Sequence, residues 1–499
     1  MPELIYNNGF PWLSVLIFSP LAALTVLLLL PGERAQRWWT LLFTSAACVV
    51  SWALYFQFNT QTAAFQLVER HPWISPWRIY YTVGVDGLSL WLVLLTTLVM
   101  PLCVLASWAY IQTRVKEFLA SLLLMETAML GVFCALDFVL FFVFWEAMLI
   151  PMALIVGVWG GPRKIYAALK FFVYTMAGSV FLLVAIIALY LKTGSFHIPD
   201  LMNRGFDAPF QFWVFLAFFI SFAIKVPMFP FHTWLPAAHV EAPTAGSVLL
   251  ASILLKMGTY GFVRFSLPIT PHAAQVFAPA IQWLSVVAII YGGLTALAQT
   301  DMKKLVAYSS VGHMGFVTLG IFTFTSGGLE GAMLQMINHG ITTGALFIGV
   351  GLLYERLHTR EMNAAAGLGK YMPIFITAFG VFALSSMAFP GTNSFVGEFL
   401  VLSSAFASVP VVAVAAVPGV VIAAAYLLRL LQRLAWGGTQ NPDHTGLRDL
   451  DWREVLALLP LFILVFWLGL KPGPFVEAMR PSLVLLLQQV KAGMPVPGL

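Results

Sequence analysis

The chain has 499 residues, of which 60% are hydrophobic and only 9% are charged, and its mean hydropathy is +0.89. A soluble protein would carry roughly a quarter charged residues, so water cannot be the solvent for most of this surface. The net charge of +5 comes from basic residues placed singly or in pairs at the ends of apolar segments, which membrane topology explains better than nucleic-acid binding.

Apolar stretches of about 20 residues recur along the chain and predict a polytopic all-α membrane protein with about 14 transmembrane helices. A membrane β-barrel is excluded because its alternating segments of about ten residues are absent. The tail after Pro474 holds an apolar segment that is too short to span and is expected at the interface. The expected spans are 11–30, 38–58, 88–110, 118–136, 138–158, 165–191, 210–240, 243–265, 275–298, 303–323, 327–354, 373–405, 411–434 and 452–470.

The loops between these spans predict the orientation of the chain. Numbered from the first helix–helix connection, the odd loops carry more Lys and Arg than the even loops and the C-terminal tail together. Basic loops stay on the cytoplasmic side, so both termini are expected on the outer side. The loops leave no room for a large soluble domain, and neither a Walker motif nor a dinucleotide fingerprint stands out.

Two ionisable residues lie where lipid is expected. Glu146 sits in the apolar segment FVFWEAMLIPM, and Lys225 ends another one. A charge at the centre of a membrane helix costs about 2.5–3.5 kcal/mol, so such residues are candidates for ion or proton pathways. The alternatives are a neutral core glutamate or structural ion pair for Glu146, and a snorkelling lysine for Lys225. Pro227, Pro230 and Pro236 follow Lys225 and must interrupt the helix, which predicts a hydrated cavity beside the lysine.

Further polar residues follow this first break. Lys256 shares one helical stripe with Ser252, Thr259 and Tyr260, and this stripe is expected to face other helices or water. Four histidines lie in the same part of the chain, and for His313 and His339 the alternative to a proton-path role is a satisfied core histidine. At His232 and His239 a zinc site is only weakly indicated, because neither a cysteine nor a second close pair of histidines joins them. These histidines are His232, His239, His313 and His339.

A second interruption is predicted at AFPGTNSFVGEF, residues 388–399. Pro390 and Gly391 stop the helix there, and Glu398 follows within two turns. Paired broken helices with ionisable groups indicate inverted repeats. We therefore expect five helices in 118–265 to be repeated, upside down, by five in 275–434. The remaining parts are three N-terminal helices in 1–117 and a C-terminal helix with its tail in 435–499.

Several segments resemble the antiporter-like subunits of respiratory complex I, and the M type most closely. The resemblance spans most of the chain and implies a fold of fourteen transmembrane helices with two inverted five-helix repeats. Glu398 favours the M type, because the sibling L and N types usually carry lysine at that position. The matching segments are VDGLSL (85–90), ALDFVLFFVFWEAMLIPM (135–152), KFFVYT (170–175), the stretch 222–265, AQTDMKKLVAYSSVGHMGFV (298–317), NHGITTGALF (338–347) and FPGTNSFVGEFL (389–400).

The resemblance also implies roles for individual residues. Glu146 would pair with Lys225 of the first broken helix. Lys256 would connect the two halves of the proton path, and Glu398 would be the acid on the exit side. The central polar axis would be lined by His313 and His339, with further support from His232 and His239.

By this resemblance the chain would couple electron transfer from NADH to quinone to proton pumping across a bacterial inner membrane, with both termini periplasmic. FMN, Fe–S clusters, NADH and quinone would be bound by partner subunits and none by this chain, and its neighbours would be L-type and N-type subunits. Two alternatives stay open: a subunit of a multisubunit sodium/proton antiporter, and a membrane subunit of a membrane-bound hydrogenase. Flavin, Fe–S and NADH oxidation in the purified complex, sodium-dependent exchange, or hydrogenase activity would distinguish them.

Overall fold

A computed structural model describes residues 2–7, 9–202, 204–438 and 446–492. Within these residues, twelve helices are long and apolar enough to cross a membrane. The prediction of a polytopic helical membrane protein is therefore confirmed. The helix Met302–Ile321 and the interrupted pair Pro373–Ser386 and Asn393–Ser408 come in addition to the twelve. The total is compatible with fourteen spans, although that number and the inverted repeats stay predictions.

The helices and strands follow one another with short connections. The three strands are β1 (Leu4–Tyr6), β2 (Phe65–Ile74) and β3 (Ile79–Val85). The first ten helices are α1 (Trp12–Leu29), α2 (Glu33–Gln57), α3 (Gly87–Ala106), α4 (Val115–Cys134), α5 (Phe138–Ala147), α6 (Leu149–Trp159), α7 (Lys164–Thr193), α8 (Ile198–Leu201), α9 (Ala208–Lys225) and α10 (Trp234–Glu241). The others are α11 (Thr244–Leu249), α12 (Leu255–Gly261), α13 (Leu267–Ile269), α14 (Pro271–Leu297), α15 (Met302–Ile321), α16 (Ser326–Leu357), α17 (Pro373–Ser386), α18 (Asn393–Ser408), α19 (Pro410–Ala416), α20 (Pro418–Trp436), α21 (Trp452–Leu470) and α22 (Gly473–Ala492).

Two helices form the centre of the fold. The first is continuous from Thr244 to Ile269 and joins α11, α12 and α13 through two π-helical stretches, Leu250–Leu254 and Phe262–Ser266. The second is α16. The apolar windows of both are fully buried inside the protein, whereas α7 exposes a row of aliphatic side chains. Polar residues on the two central helices therefore face protein rather than lipid.

A small sheet, formed by one strand before α1 and two strands between α2 and α3, was not predicted from the sequence. β1 pairs in parallel with β2, and β2 pairs antiparallel with β3. The residues IYYTVGV of β3 are aromatic and β-branched, which suits a half-buried strand. These residues lie between the predicted spans 38–58 and 88–110, so hydropathy alone did not predict an element there.

The last helix is longer than the apolar segment that predicted it. α22 covers 20 residues and packs against α3 and α16, with Met479, Leu483 and Val490 buried. It is not among the twelve apolar helices. Its expected interfacial position stays a prediction.

Candidate functional site

The first broken helix is where Pro227 and Pro230 predicted it, whereas Pro236 does not interrupt a helix but lies within the first turn of α10, where the missing N–H is tolerated. α9 ends at Lys225, and α10 begins only at Trp234. The break releases the carbonyl of Ile224 from helical hydrogen bonding, and the indole Nε1 of Trp234 donates to it at 2.8 Å. Protein thus satisfies this carbonyl inside the membrane, as a buried polar backbone group requires.

Lys225 is 1% exposed and lies beside the face of Trp145, with its Nζ 5.0 Å from the ring centroid. Within the described residues its Nζ has no hydrogen-bond partner, and the same holds for Oε1 of Glu146. The two charges interact electrostatically, yet the ion pairs of the described chain do not include them. The structure therefore places Glu146 and Lys225 as neighbours that are not in direct contact, and their pairing stays a prediction.

Lys256 lies on the first central helix and is fully buried. Its Nζ is 2.6 Å from Nδ1 of His339 on α16. The two helices approach closely because Gly340 carries no side chain: a Cβ there would lie 2.9 Å from the backbone oxygen of Ser252. The hydroxyl of Ser252 also donates to the carbonyl of Gly340 at 2.7 Å. A π-helical stretch at this contact is typical of functional sites in helices.

Two histidines continue from Lys256 toward the second break. The ring centroids of His339 and His313 are 5.9 Å apart. Nδ1 of His313 lies 2.8 Å from Oε1 of Glu398, and Nε2 of Gln335 donates to the same oxygen at 2.9 Å. Lys256, His339, His313 and Glu398 thus follow one another through the protein interior, and each is at most 4% exposed. Four residues that the sequence singled out separately form one polar axis.

The second broken helix is held by polar contacts to α16. Gly391 adopts φ +91°, a backbone conformation that residues other than glycine rarely adopt. After the turn, the backbone oxygen of Asn393 accepts from the side chain of Asn338 at 2.7 Å, and the hydroxyls of Thr342 and Ser385 lie 2.8 Å apart. These contacts fix the start of α18, on which Glu398 stands.

The remaining two predicted histidines differ in position. His239 is fully buried, stacks on Phe347 with ring centroids 4.5 Å apart, and interacts electrostatically with Lys256 and Lys303. His239 is therefore an electrostatic neighbour of Lys256, although neither of its ring nitrogens has a hydrogen-bond partner in the described residues. His232 lies between Phe229 and Tyr291, and the structure does not bring it to the axis.

In the described ranges, no three His, Cys, Asp or Glu side chains lie close enough together to hold a metal ion. The weakly indicated zinc site at His232 and His239 therefore finds no further ligands there. A zinc site in proteins ordinarily takes at least three protein ligands.

Lys303 and Glu241 were missed by the sequence analysis, and both lie at the far end of the axis from Glu398. Lys303 is 8% exposed and donates to the carbonyl of Ala242. The carboxylate of Glu241 accepts from the backbone N–H of Arg163 at 3.0 Å. Both line a small cavity of about 30 Å³, enough for one or two water molecules. In the sequence, Lys303 stands at the end of a predicted span beside Lys304, which is typical of a basic loop residue.

Glu126 was also missed. It lies in the middle of α4, is 0% exposed, and in the described part of the chain neither of its carboxylate oxygens has a hydrogen-bond partner. The signal that identified Glu146, a single acid within an apolar segment, applies equally to the stretch LLLMETAML. Glu126 is therefore a fully buried acid on α4, whereas Glu146 is only half-buried.

Comparison with known proteins identifies the family. Residues 135–423 match the family described as NADH:quinone oxidoreductase/Mrp antiporter, transmembrane, and residues 37–132 match the amino terminus of NADH-ubiquinone oxidoreductase chain 4. The NADH-quinone oxidoreductase subunit M of Rhodobacter capsulatus is 46% identical over 499 residues, covering 96% of this chain and 97% of the relative. The chain belongs to the subunit M (chain 4) family. The chain 4 protein of Arabidopsis thaliana is 45% identical, with 96% and 97% covered.

Solved structures agree with membership in the subunit M family. A chain of respiratory complex I from Thermus thermophilus superposes with a TM-score of 0.88 at 31% identity, covering 96% of this chain and 99% of that one. A chain of an archaeal membrane-bound sulfane sulfur reductase gives 0.84 at 26% identity, with 94% and 77% covered. A chain of the Mrp complex from Dietzia gives 0.81 at 21% identity, with 97% and 54% covered, which shows a shared fold alone. The resemblance to the M type is thus confirmed, and the antiporter relatives are more distant.

Proposed function

We propose that this chain is a proton-translocating membrane subunit of NADH:quinone oxidoreductase. The observation that carries the proposal is the buried series Lys256, His339, His313 and Glu398. Lys256 contacts His339 at 2.6 Å and His313 contacts Glu398 at 2.8 Å, and the two imidazole rings lie with their centroids 5.9 Å apart. Imidazole both donates and accepts protons near neutral pH, and ionisable groups inside a membrane protein are by default parts of ion or proton pathways.

Proton uptake begins at the small cavity beside Lys303 and Glu241. His239 receives the proton next, because it interacts electrostatically with both Lys303 and Lys256. From Lys256 the proton passes along the two histidines to Glu398. Moving one charge against 100 mV takes about 2.3 kcal/mol, an amount that modest changes in the proton affinity of such groups supply.

Glu146 and Lys225 act as the switch of this pathway. The two groups are electrostatic neighbours without a direct ion pair. When Glu146 approaches, Lys225 holds its proton more tightly, and when Glu146 withdraws, Lys225 releases it toward Lys256. The cation–π contact with Trp145 keeps the lysine in place when the acid is distant.

The proposal includes the arrangement of the chain in its complex. The repeats are 118–265 and 275–434, each with one broken helix, and Lys225 and Glu398 occupy corresponding places in them. L-type and N-type subunits flank the chain in a bacterial inner membrane, with both termini periplasmic. FMN, Fe–S clusters, NADH and quinone are bound by other subunits.

The test uses the complete complex reconstituted in vesicles, with Lys225→Met compared with Lys192→Met. Lys192 is a matched control because its side chain is half-exposed and lies at the end of α7. We expect fewer protons pumped per NADH oxidised for Lys225→Met and an unchanged ratio for Lys192→Met. An unchanged ratio for both variants would remove Lys225 from the pathway.

The same preparation distinguishes the two rival functions. A complex that carries flavin and Fe–S clusters and oxidises NADH supports the proposal. Sodium-dependent exchange without redox partners would assign the chain to a sodium/proton antiporter instead. Copurified hydrogenase activity would assign it to a hydrogenase.

A further inference from the structure

A pocket of about 590 Å³ lies outside the polar axis, where three helix ends meet. It is lined by the start of α2, the end of α3 with the loop that follows, and the start of α21. All three helices are long and apolar enough to span the membrane. Because membrane helices end where the lipid headgroups begin, the pocket lies at the membrane–water interface.

The charge of the pocket is mainly positive. Arg34, Arg37 and Arg453 line it, against the single carboxylate of Glu33. The guanidinium of Arg37 is already engaged, because it donates to the carbonyl of Ile111 at 2.6 Å and to the carbonyl of Trp108, both in the loop after α3. The other two arginines are therefore the ones available to a ligand.

Arg453 has unused capacity for a hydrogen bond. Its side chain is only 13% exposed, and among the described residues its Nε has no hydrogen-bond partner. Its nearest carboxylates are 3.5 Å and 3.7 Å away, on Asp451 and Glu454. Glu454 is already engaged, since both its oxygens accept from Arg356, at 2.9 Å and 2.6 Å. A buried guanidinium N–H without a partner favours an additional anionic acceptor.

Aromatic and aliphatic side chains complete the pocket. Trp38 and Trp108 pack edge to face with ring centroids 5.2 Å apart, and Trp452 is 66% exposed at the start of α21. Leu41 and Leu105 line the pocket deeper along α2 and α3. Tryptophan is enriched at the headgroup level of membranes. Basic groups, indole rings and aliphatic walls thus match the phosphate, glycerol and acyl parts of a phospholipid.

We propose that this pocket binds an anionic phospholipid. Arg34 and Arg453 hold its phosphodiester, the three tryptophans contact its glycerol region, and one acyl chain lies along Leu41 and Leu105. A free phosphate would leave the apolar walls uncovered, so the combined chemistry favours a lipid. The pocket lies on the side of the membrane that the basic loops assign to the cytoplasm, where anionic lipids attract basic segments.

The experiment places a photoreactive benzoylphenylalanine at position 38, in place of the half-exposed Trp38. The whole complex is reconstituted in vesicles of equal phosphatidylglycerol and phosphatidylcholine, illuminated, and the lipid attached to α2 is identified by mass spectrometry. We expect phosphatidylglycerol to predominate. Each of Arg34→Gln and Arg453→Gln should lower that preference about fivefold, the factor that corresponds to about 1 kcal/mol per basic side chain.

Arg114→Gln is the matched control, because Arg114 is exposed in the loop after α3 and does not line the pocket. It should leave the preference unchanged, and Arg34→Lys with Arg453→Lys should restore most of it. Equal labelling by both lipids in the otherwise unchanged complex would overturn the proposal. Cross-linking to a neighbouring subunit would overturn it in favour of a protein contact, and loss of the preference on adding inorganic phosphate would identify a free-phosphate site instead.

Discussion

Nζ of Lys256 lies 2.6 Å from Nδ1 of His339, a residue 83 positions away on the other central helix. An ammonium has only donors, so Nδ1 must be the acceptor when the lysine is protonated. His339 then carries its own proton on Nε2, which has no hydrogen-bond partner in the described residues. A proton that arrives at Lys256 can therefore be taken up by the imidazole without any movement of the backbone.

Lys256→Met should interrupt this transfer while leaving the packing intact, because methionine fills the space of the lysine stem. We expect proton transfer through this chain to slow by about 100-fold, the usual contribution of a positioned acid or base. The measurement is the number of protons pumped per NADH oxidised by reconstituted complex. Lys256→Arg keeps the charge but releases its proton far less readily, so it should fail as well. Normal pumping by both variants would contradict a relay through Lys256.

Glu398→Gln tests the other end of the axis. A glutamine can still accept the hydrogen bond from Gln335, but it cannot carry a proton. We expect the complex to assemble in normal amount and to pump fewer protons per electron, while Glu398→Asp keeps a titratable group and retains part of the activity. Assembly is checked by the yield of purified complex. Equal pumping by the glutamine and aspartate variants would argue that only the hydrogen bond matters at this position.

Gly340→Ala should separate the two central helices. The added Cβ would lie 2.9 Å from the backbone oxygen of Ser252 and 2.7 Å from Cδ2 of Leu95, so the helices must move apart. The contact between Lys256 and His339 would then lengthen, and we expect reduced pumping together with reduced thermal stability. Gly380→Ala is the control, because its Cβ would meet only Leu431 at 3.5 Å. Comparable losses in both variants would point to a general sensitivity to alanine.

Arg264 and Asp86 form a buried ion pair between the first central helix and the start of α3. Asp86 also caps α3, where its carboxylate accepts from the backbone N–H groups of Leu88 and Ser89. Arg264→Met would leave a buried carboxylate without its partner, which costs about 3–5 kcal/mol. We expect a lower unfolding temperature for the purified complex.

Adding Asp86→Asn to Arg264→Met should recover part of the stability, because an amide is neutral and still caps the helix. A double variant less stable than the single one would show that the charge of Asp86 is needed for another reason.

Asp137 gives a prediction for pH. It precedes α5, and burial raises the pKa of its carboxyl to about 6, although hydrogen bonds from the backbone N–H groups of Val139, Tyr80 and Leu140 act in the opposite direction. The folded protein therefore binds this proton more tightly than the unfolded chain. Its ionisation should lower the free energy of unfolding as pH rises from about 4 to about 6, by on the order of 2–3 kcal/mol.

Asp137→Asn should remove this dependence, so its gain in unfolding temperature over the original protein should be larger at pH 7 than at pH 5. The measurement is thermal unfolding of the detergent-solubilised complex at both pH values. A variant with the same dependence on pH as the original protein would assign that dependence to other groups, such as His197, which forms an isolated β-bridge with Asp137.

Part of the candidate site was predictable because its signals are local. A proline removes a backbone hydrogen bond from a helix, so the pair Pro227 and Pro230 and the Pro390–Gly391 pair predicted both breaks, although single prolines such as Pro101 and Pro279 lie inside continuous helices. A single ionisable residue in an apolar segment is equally visible, and this signal identified Glu146. The same signal was present at Glu126 but was not used there. Lys303 was not predicted as a site residue for another reason. It stands beside Lys304 at the end of a predicted span, where basic residues usually reflect membrane orientation.

The sequence by itself determined the solvent of this protein, its broken helices and its family, because hydropathy, proline geometry and motifs are properties of neighbouring residues. Only the tertiary structure decided that Lys256 contacts His339, that His313 contacts Glu398, and that His232 stands apart. These relationships join helices far apart in the chain, and they depend on which face each helix turns toward the others. That choice is made by the packing of the whole bundle, including glycines such as Gly340, and no local pattern encodes it.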